Sequence, residues 1–144
     1  MIRKLFIILA LVTLPTLVYA ETTITNNGCY PLGNNVIACS ITYLDDTNGI
    51  TDESITVSSE VKGWQIGSAI HVPGSTALTE TADITLKIKE IDPFDGGFDD
   101  CGGTSSTQVN FTQIIPALTG SVTFTLANNA VNNATGDFIM FFYK

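Results

Sequence analysis

Between Val36 and Tyr143, apolar and polar residues alternate in short runs, and Gly, Asn, Asp or Pro interrupts each run before it reaches helical length. Alternation with a period of two puts one set of side chains on each face of a strand, and the interrupting residues supply the turns. No window of helical length carries an apolar stripe at 3.6-residue spacing. The chain is therefore predicted to be all-β.

Residues 83–91 show the pattern most clearly. Ile84, Leu86 and Ile88 face one way, and Thr85, Lys87 and Lys89 face the other, as in an antiparallel sheet with one buried face. Further strands are predicted over 36–44, 55–58, 61–72, 109–115, 121–127 and 137–143. The last is apolar on both faces (Phe138, Ile139, Met140, Phe141, Phe142), so it belongs in the middle of a sheet or beneath a partner. Roughly seven or eight short strands predict an antiparallel β-sandwich of immunoglobulin-like or jelly-roll type. A membrane barrel would need strands of about 9–11 residues, longer than most of these.

The first twenty residues have a different build. Arg3 and Lys4 precede an apolar block from Leu5 to Val12, and Val18-Tyr19-Ala20 ends on small-residue spacing. This is the pattern of a secretory signal cut between Ala20 and Glu21. The alternative is a retained membrane anchor, for which the apolar block is short and is broken by Thr13, Pro15 and Thr16. Residues 21–144 then form a single domain that is secreted, extracellular or periplasmic. Membrane contact is expected only if residues 1–20 are retained.

All fourteen acidic residues fall after residue 20, against four basic ones. The resulting net charge of −10 repels phosphate backbones and anionic lipid, which excludes nucleic-acid binding from the expected functions. It leaves cation binding open. In an oxidising compartment two of Cys29, Cys39 and Cys101 should pair. Cys29 and Cys39 flank the turn signal at 31–35 and are the nearer pair, although either could bridge to Cys101. The odd thiol is then either buried and inert or available to crosslink another subunit.

Few residues point to chemistry. Asp92, Asp95, Asp99 and Asp100 lie among Gly96, Gly97, Gly102 and Gly103, oxygen donors on a flexible backbone of the kind calcium takes. The spacing matches neither an EF-hand loop nor a Gly-Asp repeat, and the plain alternative is a solvated acidic loop. His71 is the only histidine. It cannot build a multi-histidine zinc site, and no Gly-x-Ser-x-Gly elbow accompanies it, so no catalytic residue is assigned. Trp64, between Gly63 and Gly67, is read as core or as a ligand-stacking platform, and Trp64 or Tyr30 exposed beside the acidic loop would mark a module for sugar or calcium. Residues 110–112 and 133–135 match the glycosylation acceptor.

Several motifs in order carry a resemblance. They are Val72-Pro73-Gly74-Ser75, Thr81-Ala82-Asp83-Ile84-Thr85-Leu86, Gly102-Gly103, the segment 120–126 and the segment 132–136. From about residue 61 onward the chain resembles small β-sandwich virion structural proteins of tailed bacteriophages. That likeness implies a structural or surface-decorating role without catalysis. A second likeness is to chaperone–usher fimbrial subunits, through the signal segment, an N-terminal disulfide and the penultimate Tyr143. It implies that Glu21–Gly28 is an arm donated to a neighbour. The expected function is thus a secreted, non-catalytic structural or surface protein acting by self-association or attachment to another structural protein. The alternatives are a fimbrial subunit and an extracellular module for calcium or carbohydrate. The regions expected to make contact are the loop at 92–107 and the strand at 138–143.

Overall fold

The computed structural model describes residues 23–45, 61–88, 91–110 and 121–144, together with residues 51–56 and Ser121 by backbone alone. Residues 1–20, where an export signal or anchor is expected, lie outside the described residues, as do Phe111 and Thr112 of the first glycosylation motif. Among the described residues there are eight strands: β1 (Thr23–Gly33), β2 (Val36–Asp45), β3 (Thr51–Thr56), β4 (Gln65–Pro73), β5 (Asp83–Ile88), β6 (Thr107–Asn110), β7 (Ser121–Ala127) and β8 (Ala134–Tyr143).

The strands form two sheets, in the orders β1-β2-β8-β4-β6 and β3-β7-β5, and every ladder is antiparallel. From β2 onward each connection passes from one sheet to the other. This is the wrapping of a jelly roll, whereas an immunoglobulin sandwich keeps several consecutive strands in one sheet.

Alternation decides what each strand buries. Ile84, Leu86 and Ile88 on β5 point into the core, as do Val122, Phe124 and Leu126 on β7. From the larger sheet come Ile41 and Tyr43 on β2, Ile66 and Ala69 on β4, and Phe138, Met140 and Phe142 on β8. An aromatic chain joins the layers. Tyr43 stacks on Phe124 at 6.3 Å, and Phe138 meets Phe124 edge-on at 5.6 Å. β8 lies third of five in its sheet, between β2 and β4, as its two apolar faces require.

Some sequence boundaries shift for physical reasons. The strand expected from Val61 starts at Gln65, because Val61–Gly63 form a tight turn closed by the bond from Trp64 N to Val61 O (3.0 Å). β5 stops at Ile88, where Ile88 and Ile91 bond each other across a bridge and Ile91 is left 60% exposed. β6 is short, and residues 111–115 of the strand expected there lie outside the described residues. β8 begins at Ala134, three residues before the strand expected from Asp137.

The Asp- and Gly-rich stretch is more than a solvated loop. Phe94 and Phe98 are buried in it and pack edge-on against Phe138 at 6.3 and 4.9 Å. Backbone bonds from Ile84 N to Phe98 O (3.1 Å) and from Cys101 N to Ala82 O (2.9 Å) tie the loop to the β5 side. The loop therefore fills the core between β5 and β6 and turns its carboxylates outward.

Candidate functional site

The cysteines resolve into one pair and one thiol. Cys29 and Cys39 are cross-strand partners in the β1–β2 hairpin and form a disulfide with Cα atoms 4.0 Å apart. Closing a loop of this size removes roughly 3 kcal/mol of unfolded-state entropy, and it fixes the edge strand β1 to its neighbour. A disulfide of this kind belongs to an oxidising compartment. Cys101 is free and buried, and burial pushes its thiol up to about 12, with backbone N–H groups opposing and Asp83 and Asp99 reinforcing. A thiol so placed is unreactive.

Thr23 to Gly28, expected as an arm donated to a neighbour, pair here with β2 of their own chain.

The four aspartates of the loop separate into different tasks. Asp92 accepts bonds from Phe94 N (2.8 Å) and Gly96 N (3.0 Å), so both its oxygens are engaged in shaping the turn. Asp95 and Asp100 occupy the left-handed region at φ 48° and 51°, which aspartate tolerates better than most residues. Asp99 is held above its ordinary value, first by lost hydration and then by Asp83, Asp92 and Asp100. Asp83 takes its own partners, Asp100 N at 2.9 Å and Asn128 Nδ2 at 2.5 Å. Among the described residues, no three His, Cys, Asp or Glu side chains converge as metal ligands.

His71 is entirely buried. Its Nε2 lies 2.6 Å from the Tyr43 hydroxyl and its Nδ1 lies 3.2 Å from the Cys101 carbonyl. One neutral tautomer satisfies both contacts: Nδ1–H donates to Cys101 O, and Nε2 accepts from Tyr43 O–H. Burial holds the Tyr43 phenol far above its ordinary value, and Cys101, Asp45 and Asp137 reinforce this. The tyrosine thus remains a donor. Burial also lowers the His71 value, against a smaller opposing effect from the Cys101 carbonyl.

The sign of the pH effect follows. Above about pH 6.5 neither folded nor unfolded histidine binds a proton. Below it the unfolded chain takes one that the fold resists, so stability falls, by at most about 1.4 kcal/mol per pH unit. Urea unfolding between neutral and mildly acidic pH should show this slope, and His71→Gln should flatten it. An equal slope in both proteins would assign the acid sensitivity elsewhere.

The aromatic residues named from the sequence fall at the hairpin end of the larger sheet. Trp64 is half-buried against the core, with Lys144 Nζ 6.0 Å from its ring centroid. Tyr30 and Tyr143 are 44% and 41% exposed. Asn133 is exposed in the left-handed conformation, at a turn before β8.

The outer surfaces of the two sheets differ in kind. On the three-stranded sheet, β5 and β7 turn outward Asp83, Thr85, Lys87, Thr123 and Thr125. On the five-stranded sheet the register aligns Tyr30, Ala38 and Phe141 in one row, Ser40, Ile139 and Ile70 in the next, and Thr42, Asp137 and Val72 beyond it. Val72 and Tyr143 extend the same face. Ala38 is fully buried although it points away from the core, because larger neighbours on both sides cover it. Compared with known protein families, curated proteins and solved structures, the chain matches none. Among the described residues, no helix is long and apolar enough to cross a membrane.

The apolar outer face is the feature that sequence reading caught only at β8. Ile66, Ile70 and Val72 all stand at even positions of the strand expected over 61–72, but a bulge between Ile66 and Ser68 turns Ile66 to the core and Ile70 and Val72 outward. Gly67 inside that run was the signal for a bulge.

Proposed function

We propose that this chain is a non-catalytic structural protein, secreted into an oxidising compartment, that works by assembly or attachment through sheet surface. The observation that carries this reading is the contrast between its outer faces. An antiparallel sheet facing water shows polar residues outward, as β5 and β7 do. The five-stranded sheet instead presents Ile70, Val72, Ile139, Phe141 and Tyr143, an apolar patch bordered by Ser40, Thr42 and Asp137, of the kind that marks interaction surfaces. The jelly-roll wrapping accords with the virion-type likeness, since capsid domains use it. The buried Tyr43–His71 pair supports the same reading, because its polar atoms are engaged with each other and with the backbone.

Electron microscopy and size-exclusion chromatography of the purified protein test the proposal. Oligomers, ordered particles or binding to a larger structural assembly are the expected result. A chain that stays monomeric at high concentration and attaches to no particle or cell surface would refute it.

A further inference from the structure

We infer that the outer face of the five-stranded sheet is the interface of a twofold dimer, and that its occupant is the same face of a second copy of this chain. The inference rests on the assembly reading above and supplies its partner.

Charge selects the occupant. The chain carries a net charge of −8, yet the strands of this sheet hold only two of its fourteen acidic residues, Asp45 and Asp137, and no lysine or arginine. Asp45 is buried and accepts from Asn129 Nδ2 at 2.7 Å. Asp137 lies on this face beside Val72, where it accepts from the Thr42 hydroxyl at 2.6 Å, and Asn27 bonds Thr42 in turn. At the loop of Asp92, Asp95, Asp99 and Asp100 an identical molecule meets like charge. On this sheet face two copies can approach with their acidic loops held apart. A basic partner would be drawn to those loops instead, and an anionic membrane would repel the body of the protein.

Size also fits. Strands of 11, 10, 10, 9 and 4 residues, rising about 3.3 Å per residue and about 4.8 Å apart, span a footprint of roughly 700 Å². A standard stable interface buries about 800 Å² on each partner. A sheet face is the natural complement of another sheet face, packed about 10 Å away in the manner of a sandwich. Isologous contact places the same residues opposite each other near the axis. β8 is the middle strand of five, so Ile139 and Phe141 lie closest to that axis.

Sedimentation velocity on the purified protein over the micromolar range tests this. Ile139→Lys and Phe141→Ser should each weaken dimerisation at least about thirtyfold, as at a central interface position. Circular dichroism should show both variants folded, and Thr85→Lys on the opposite outer face should leave the dimer intact. Under oxidising conditions Ile139→Cys should crosslink two copies. A dimer unaffected by both β8 variants overturns the interface and leaves assembly through another surface standing. A monomer whose attachment to another protein or to lipid vesicles is lost in Ile139→Lys overturns the second copy as occupant and keeps the face. A monomer that attaches to nothing overturns both.

Discussion

Gly102→Ala is expected to be the most damaging small substitution in this protein. A Cβ at Gly102 would be driven into the backbone carbonyl of Thr79. Backbone cannot turn aside as a side-chain tip can. The flanking residues are fixed by bonds from Cys101 N to Ala82 O and from Gly103 N to Leu78 O, both 2.9 Å. Accommodating one methyl group therefore means separating residues 101–103 from 78–82. That would strip both bonds and loosen the loop that carries Phe94 and Phe98 into the core. The expected loss is about 3–5 kcal/mol, or roughly 10–20 °C in melting temperature. Gly33→Ala is the control, since nothing lies within 4 Å of its added Cβ. Thermal melts followed by circular dichroism decide the matter, and equal melting points for the two variants would show that the close approach is not a constraint.

Gly136→Ala is expected to act through the core. Its Cβ would strike the Tyr43 hydroxyl and come within 2.7 Å of Tyr43 Cζ and 2.8 Å of the Val72 carbonyl. Glycine here makes room for the tyrosine to reach His71. Overpacking and a strained or lost Tyr43–His71 bond together should cost about 2–4 kcal/mol. Tyr43→Phe removes the struck hydroxyl but leaves Nε2 of His71 without its donor, itself a loss of about 1–3 kcal/mol. The two substitutions should therefore be less than additive by at least about 1 kcal/mol in a double-mutant cycle. Strict additivity in urea unfolding would separate Gly136 from the hydroxyl.

Fold class and disulfide pairing were legible in the sequence for different reasons. Alternation in β5 and β7 survives into the structure residue by residue, because each buries one face on the opposite sheet. The Cys29–Cys39 bridge follows from a short hairpin whose turn residues lie between the cysteines. Sheet order was not legible, since pairing Val36 with Tyr143 depends on the whole chain. Phe94 and Phe98 were obscured by surrounding Asp and Gly, which read as solvent-facing. A loop can carry two anchors inward while the residues between them remain wet. His71 carries no motif in the sequence, and its bond to Tyr43 could not be seen because the two lie on strands separated in the sheet by β8.

The position of β8 also dictates an order of events in time. Among the described strands it is synthesised last, yet both β2 and β4 need it as their shared neighbour. Until it arrives, the larger sheet is divided into a β1–β2 hairpin and a β4–β6 pair, each exposing an unpaired edge. Sheets closed by such distant partners fold slowly. The half-made edges mark the stage at which a holding chaperone would be of most use to this chain.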